Sequence, residues 1–335
     1  MSIFDIFRPT WSAGTIEQEQ RERLFWYLKR KTSFTAWKRQ ADAYDDFAEV
    51  YKKQLQKQPV AKGEFSIWET NWETFYPRVL AAQVCYERGL ESLAQGDRSV
   101  WHYSGRGYLH DAAKDSQFWH CELVNQGPRG DHTYEGVYLE EMVSAISQFY
   151  LVSDDTGFLQ SRMINTPAPL FWGDWLQSEL HSLPDNVRLG EVPVHAENVL
   201  VRTNEKVPVF GIYEPQVSEG AMNYLLADIP APPLWDKDGT QRSYEVTWRL
   251  IWEDTRYLDG IIPPEERVYF PSKEVVCPNK LFGAQTVVSA LSGEACPKKG
   301  EWVVMDDLHA KQAFQFGERI PQYHGRDVTW VCVSD

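Results

Sequence analysis

The chain has 335 residues, too many for one ordinary hydrophobic core, and 14% of them are aromatic, including 14 Trp, which excludes an unfolded chain. Its formal charge is −14, from 34 Lys and Arg against 48 Asp and Glu. The acidity is spread over both halves, so direct nucleic-acid binding is disfavoured and a basic protein partner is favoured.

The first residues, Met1 to Pro9, carry neither the basic flank nor the apolar run of a secretory leader, and no stretch has the ~20 apolar residues of a membrane span. A cytoplasmic protein without membrane partners is expected. The 5 cysteines, Cys85, Cys121, Cys277, Cys296 and Cys332, are odd in number and never spaced Cys-x-x-Cys. They read as reduced thiols, with neither a disulfide frame nor a zinc site.

From Thr15 to Gln58 the apolar residues recur at helical spacing, with Leu24, Tyr27 and Leu28 in one stripe and Trp37, Tyr44, Phe47 and Tyr51 in the next. The pattern predicts two helices broken near Ser33, whose hydroxyl can cap the second. Beside the second stripe lie Asp42, Asp45, Asp46 and Glu49, an acidic face read either as solvated surface or as a docking surface for basic side chains. A helix follows over Ile67 to Ala94, with Pro77 either kinking it or marking its first turn. Further helical stretches reach Gln126, run from Tyr134 to Leu151, and cover Leu170 to Leu183. Near Pro184-Asp185-Asn186 the period changes to that of strands, which sets a helical domain at 1–186.

Beyond that boundary a pattern occurs twice. Thr203 to Tyr213 reappears 89 positions later as Ser292 to Trp302, both reading hydroxyl, x, Glu, x, small apolar, Pro, x, x, Gly, x, aromatic. The shared residues are Glu205, Pro208, Gly211 and Tyr213 in the first copy and Glu294, Pro297, Gly300 and Trp302 in the second. Ile229-Pro230 and Ile320-Pro321 echo each other with slack, and both copies close on Val-Thr-Trp, ending at Trp248 and Trp330. The Pro-rich tract Pro230 to Trp235 lengthens the first copy. Pro and Gly between short β-branched runs mark turns joining strands, so the repeated residues are read as scaffold. The expected architecture is α+β: an N-terminal antiparallel helical bundle followed by a mainly β region built from two related units, 187–262 and 263–335, linked through Gly260 to Glu266.

Chemistry has one candidate location. His102, His110, Asp111 and His120 crowd a short stretch and could serve a metal-dependent hydrolase, but their gaps are not the i, i+4 spacing that sets two ligands on one helix face. No nucleophile elbow, phosphate loop or dinucleotide fingerprint occurs. Scaffold without a catalytic constellation points to binding and to no cofactor.

Small-Gly-x-x-Cys-Pro-x-x-Gly-x-Trp, then aromatic-x-x-Gly-x-x-x-Pro and a closing Trp, resembles the C-terminal region of immunity proteins from bacterial polymorphic-toxin and type VI secretion systems. A Trp- and Tyr-rich helical region precedes it in those families, as it does here. The first copy departs from the pattern, with Asn204 for Gly, Val207 for Cys and no Gly before Ile229. The resemblance implies a non-enzymatic protein that inhibits a cognate toxin by stoichiometric binding. Charge and compartment together favour a basic, cytoplasm-acting toxin such as a nuclease. An adaptor of the secretion machinery is the remaining alternative.

Overall fold

A computed structural model describes residues 18–57, 69–102, 108–119, 137–153, 158–160, 163–165, 192–195, 199–218, 220–235, 242–270 and 287–334. Among the described residues five α-helices come first: α1 Gln18–Lys31, α2 Phe34–Lys57, α3 Glu69–Ala94, α4 Tyr108–Trp119 and α5 Val137–Ser153. Strands β1 Phe158–Gln160 and β2 Met163–Asn165 follow, then β3 Leu200–Arg202, β4 Gly211–Pro215, β5 Asn223–Leu225, β6 Leu234–Trp235, β7 Ser243–Tyr244 and β8 Thr247–Glu253. The last four strands are β9 Ser289–Leu291, β10 Gly300–Val304, β11 Asp307–Phe314 and β12 Thr329–Ser334. The architecture is α+β, with every sheet antiparallel. The expected helix over Leu170 to Leu183 and the residues around His120 lie outside the described residues.

Two compact units emerge, each discontinuous in sequence. One gathers Met1–Trp37, Ser92–Gly107 and Asp155–Val275; the other gathers Lys38–Glu91, Tyr108–Asp154 and Val276–Asp335. Each therefore combines helical segments from the first half of the chain with one of the two β-rich copies.

The break between α1 and α2 falls where the sequence placed it. Ser33 Oγ accepts the Ala36 N–H at 3.1 Å, so an orphan donor of the first turn of α2 is satisfied. Helix α3 begins at Glu69 and runs through Pro77, which is therefore interior and not its first turn. In the second unit Tyr44 packs at 5.4 Å from Tyr86 and 5.3 Å from Phe149, joining α2, α3 and α5. Gln40 donates to Tyr86 Oη at 2.9 Å. The Ser116 hydroxyl donates to the Ala112 carbonyl at 2.7 Å, which leaves Tyr86 to donate to Ser116 at 3.1 Å.

The two copies agree strand for strand. In the first sheet the order is β1-β2-β5-β4-β8-β3, and in the second it is β11-β10-β12-β9, so β5-β4-β8-β3 matches β11-β10-β12-β9. Gly211 faces Leu225 as Gly300 faces Phe314, and Val201 faces Trp248 as Ala290 faces Trp330. Even the irregularity repeats: the register slips between Ile212 and Tyr213 in one sheet and between Glu301 and Trp302 in the other.

The loop that closes each copy also repeats. Glu205 accepts the Arg202 N–H at 2.8 Å, and Glu294 accepts the Leu291 N–H at 2.7 Å. The Trp248 indole donates to the Pro232 carbonyl at 2.8 Å, and that of Trp330 to the Pro321 carbonyl at 3.1 Å. The structural partner of Pro321 is thus Pro232, and the Ile229-Pro230 echo is corrected by two residues. From Thr203 to Pro232 the step between copies stays at 89 with no slack; it falls to 82 by Val246 and Val328, so the first copy carries seven extra residues. They fall within the segment 233–245, which carries the hairpin β6–β7.

A second correction concerns the glycines. Gly211 and Gly300 open strands and do not have positive φ; a Cβ on Gly211 would come within 2.2 Å of the Trp252 carbonyl oxygen, so close backbone approach excludes a side chain there. Left-handed backbone occurs elsewhere in the loop, at Asn204 (φ 68) and Gly293 (φ 90), and at Asp228 (φ 66) and Gly317 (φ 79). Asn and Asp are the non-glycine residues that tolerate this region best, which explains how the first copy dispenses with both glycines.

Candidate functional site

Each sheet has two faces with different duties. On the loop side seven members of the buried clusters correspond: Val201, Val207, Tyr213, Leu225, Ala231, Val246 and Trp248 in the first unit stand where Ala290, Cys296, Trp302, Phe314, Ile320, Val328 and Trp330 stand in the second. The first cluster also takes Leu234 from its hairpin, while the second has larger side chains at the Tyr213, Leu225 and Ala231 positions. Every repeated aromatic named from sequence, Tyr213, Trp248, Trp302 and Trp330, is buried here. Pro208 is exposed and Pro297 is exposed, each preceding its strand.

The helix-facing sides differ. In the second unit Leu80 and Val84 of α3 pack with Val287, Val303 and Val331, an apolar contact flanked by Arg88 hydrogen bonds to Thr329 at 2.7 Å and Ser289 at 3.2 Å. In the first unit the same side is charged. Glu214, which occupies the position of Val303, accepts two hydrogen bonds from Arg21 of α1, at 2.8 and 3.0 Å, and lies 2.6 Å from His195 Nε2.

Behind β8 the charge is deeper. The Asp254 carboxylate is fully buried and accepts from Arg98 at 2.7 Å, from Arg256 at 2.9 and 2.8 Å, and from the Tyr224 hydroxyl at 2.8 Å. Burial opposes its ionisation, but the Arg256 and Arg98 guanidinium groups outweigh that and hold Asp254 well below the usual carboxylate range.

This segment also staples the turn between the first two helices. Arg256 donates to the Lys29 carbonyl at 2.9 Å and the Thr32 carbonyl at 3.1 Å, at the C-terminal end of α1. Glu266 accepts the Thr35 N–H at 2.9 Å, and the Tyr257 hydroxyl accepts the Phe34 N–H at 2.8 Å, at the N-terminal end of α2. Cation at a helix C-terminus and anion at an N-terminus is the pairing the helix dipole favours. In the sequence Gly260 to Glu266 reads only as a link between copies. The available signal was Asp254-Thr255-Arg256-Tyr257, opposite charges with an aromatic directly after a strand.

The acidic face of α2 belongs to the second unit. Asp42 pairs with Lys38, Asp45 accepts from Gln83 of α3 at 2.8 Å, and Glu49 pairs with Lys53 at 2.8 Å. Asp46 is exposed. Burial pushes Asp45 up to about 6. Of the histidine group, His102 lies in the first unit, stacked on Phe210 at 5.4 Å, whereas His110 and Asp111 lie in the second on α4. Among the described residues no three His, Cys, Asp or Glu side chains are grouped to hold a metal ion. The exposed large aromatic residues among those described are Trp235 and Tyr244 on the β6–β7 hairpin and Phe316 just past β11.

Fold and site together define an α+β protein with two related sheets, stiffened by buried ion pairs in one unit and by apolar helix packing in the other. The model of the Immunity protein 71 family (Imm71) matches residues 15–254, most of the chain, and the protein belongs to that family. The matched span takes in all five helices and the first copy and ends at β8; the second copy lies beyond it. No match was found among curated proteins or among solved structures. Among the described residues no helix is long and apolar enough to cross a membrane.

Proposed function

We propose that the protein neutralises a cognate toxin by stoichiometric binding, masking its active site or blocking its assembly, without chemistry of its own. Membership of an immunity-protein family carries this reading. The formal charge of −14 supports a basic toxin, with a nuclease as the preferred target and a bacterial type VI or related polymorphic-toxin system as the source. The buried, reduced thiols of Cys85 and Cys296 support action in a reducing compartment, the cytoplasm. Along the sequence a mainly helical stretch, 1–186, precedes two copies of a β-rich unit, 187–262 and 263–335, and the acidic face of α2 is one contact for the toxin.

Co-expression with the product of the neighbouring toxin gene tests the proposal: cells are rescued, and an equimolar complex is purified. Rescue without a complex would remove the stoichiometric mechanism. Within the complex, Asp46→Lys with Glu49→Lys raises Kd, most strongly at low salt. Unchanged binding would remove this face from the contact.

A further inference from the structure

The two units differ at one sheet edge. In the first, β5 is an interior strand: β2, itself paired with β1, lies on its outer side, with Met163 opposite Leu225 in the antiparallel ladder. In the second, β11 corresponds to β5, with Phe314 at the place of Leu225, yet β11 is the last strand of its sheet among the described residues. An edge strand presents a row of backbone donors and acceptors that another strand can complete. We infer that the outer edge of β11, over Lys311 to Phe314, is a docking site for an extended segment of the cognate toxin, which adds to the sheet antiparallel as β2 adds to β5.

The first unit shows what this edge geometry accepts. Over Gly300 to Trp302 the β10–β11 register reproduces that of β4 and β5 over Gly211 to Tyr213, so the donor row of β11 is presented as β5 presents its own to β2. Side-chain direction follows from the same register. Gln312 faces Trp302, while Lys311 faces Val303 on the opposite side of the sheet. Lys311, Gln312 and Ala313 are exposed, and Phe316, 77% exposed, places one apolar side chain just beyond the strand. A partner strand with an apolar residue opposite Phe314, as Met163 stands opposite Leu225, fits this edge.

A second copy of this chain fits it less well. Antiparallel pairing of two β11 edges would bring Lys311 and His309 of each copy toward their like, between molecules of formal charge −14 each.

The inference rests on the toxin-binding reading, and the test separates the two. Of two neighbouring residues in an edge strand, one turns its N–H inward to the ladder and the other outward. Gln312→Pro and Ala313→Pro are therefore made singly in the full chain. One variant loses thermal stability; the other keeps it and loses affinity for the catalytically inactivated product of the neighbouring toxin gene by roughly tenfold or more, since proline removes a donor and blocks approach. Hydrogen exchange on the full chain shows amides of Lys311 to Phe314 protected when that toxin is added.

Toxin binding with no new protection at these amides and full affinity in the stable proline variant overturns the inference alone. No binding of the toxin by the unaltered chain overturns the toxin-binding reading and the inference with it. Protection that grows with the protein's own concentration assigns the edge to a second copy and overturns it as well.

Discussion

Glu214 and Val303 occupy the same place in two sheets that agree in strand order, register and bulge, yet one carries an ion pair and the other an apolar contact. On the loop side of those sheets the partners match position by position, down to the indole that donates to a proline carbonyl. The loop side is held by backbone geometry, which admits few solutions. The helix side needs only complementary surfaces, and charge or hydrocarbon can provide them. A buried pair is a costly choice compared with hydrocarbon, because two desolvated ions contribute only when geometry and further hydrogen bonds are satisfied. Deeper in the first unit Arg256, ion-paired with Asp254, and Glu266 also cap two helix ends, which hydrocarbon cannot do.

The largest expected effect separates these two kinds of helix contact. Asp254→Ala leaves Arg98 and Arg256 buried without their carboxylate and costs about 3–5 kcal/mol in urea unfolding. A loss under about 1 kcal/mol would show that the ion pairs are incidental to the fold.

The equivalence of the loop sides is tested next. Trp248→Phe and Trp330→Phe each orphan a proline carbonyl and open a small cavity, at a cost of about 1–3 kcal/mol apiece. Stability changes that differ widely between the two would break the correspondence.

Acid should divide the units in opposite senses. Asp254 has its folded pKa held below the ordinary 3.8, so its contribution is present above that value and fades as pH falls through the folded pKa. Asp45 and Asp111, in the second unit, are pushed up to about 6 by burial, so between about pH 4 and 6 the unfolded chain gives up their protons first and stability falls as pH rises. Denaturant midpoints over this range show the fall in the unaltered protein and a smaller one in Asp45→Asn and Asp111→Asn. An unaltered slope in both variants would refute the assignment.

The smallest effect concerns the closing loops. Glu205→Ala and Glu294→Ala each remove one carboxylate-to-backbone hydrogen bond at the surface and cost about 0.5–1 kcal/mol, equal in the two copies. Thermal melts resolve the pair.

Much of the scaffold was legible in the residues. The α1–α2 break at Ser33, the paired Glu, Gly and Trp positions and the longer first copy all follow from caps, turns and repeats, which are local and leave a pattern in sequence. The two-residue error at Ile229-Pro230 arose because two Pro lie close together, and only the indole bond to Pro232 tells them apart. Asp254, Arg256 and Glu266 were missed because their partners Arg98, Lys29 and Thr35 are remote in the chain.

An acidic, aromatic-rich α+β protein with a β-rich pattern written twice can be read from the residues alone, because composition and short-range periodicity are properties of neighbouring residues. Long-range packing sets the rest: each copy joins with different helical segments, one sheet carries charge on its helix side and the other hydrocarbon, and among the described strands β5 is covered by β2 while β11 lies at an edge. Those outcomes depend on which distant side chains and strands meet, and the energy of such meetings lies in burial and pairing across hundreds of residues, where no local pattern records it.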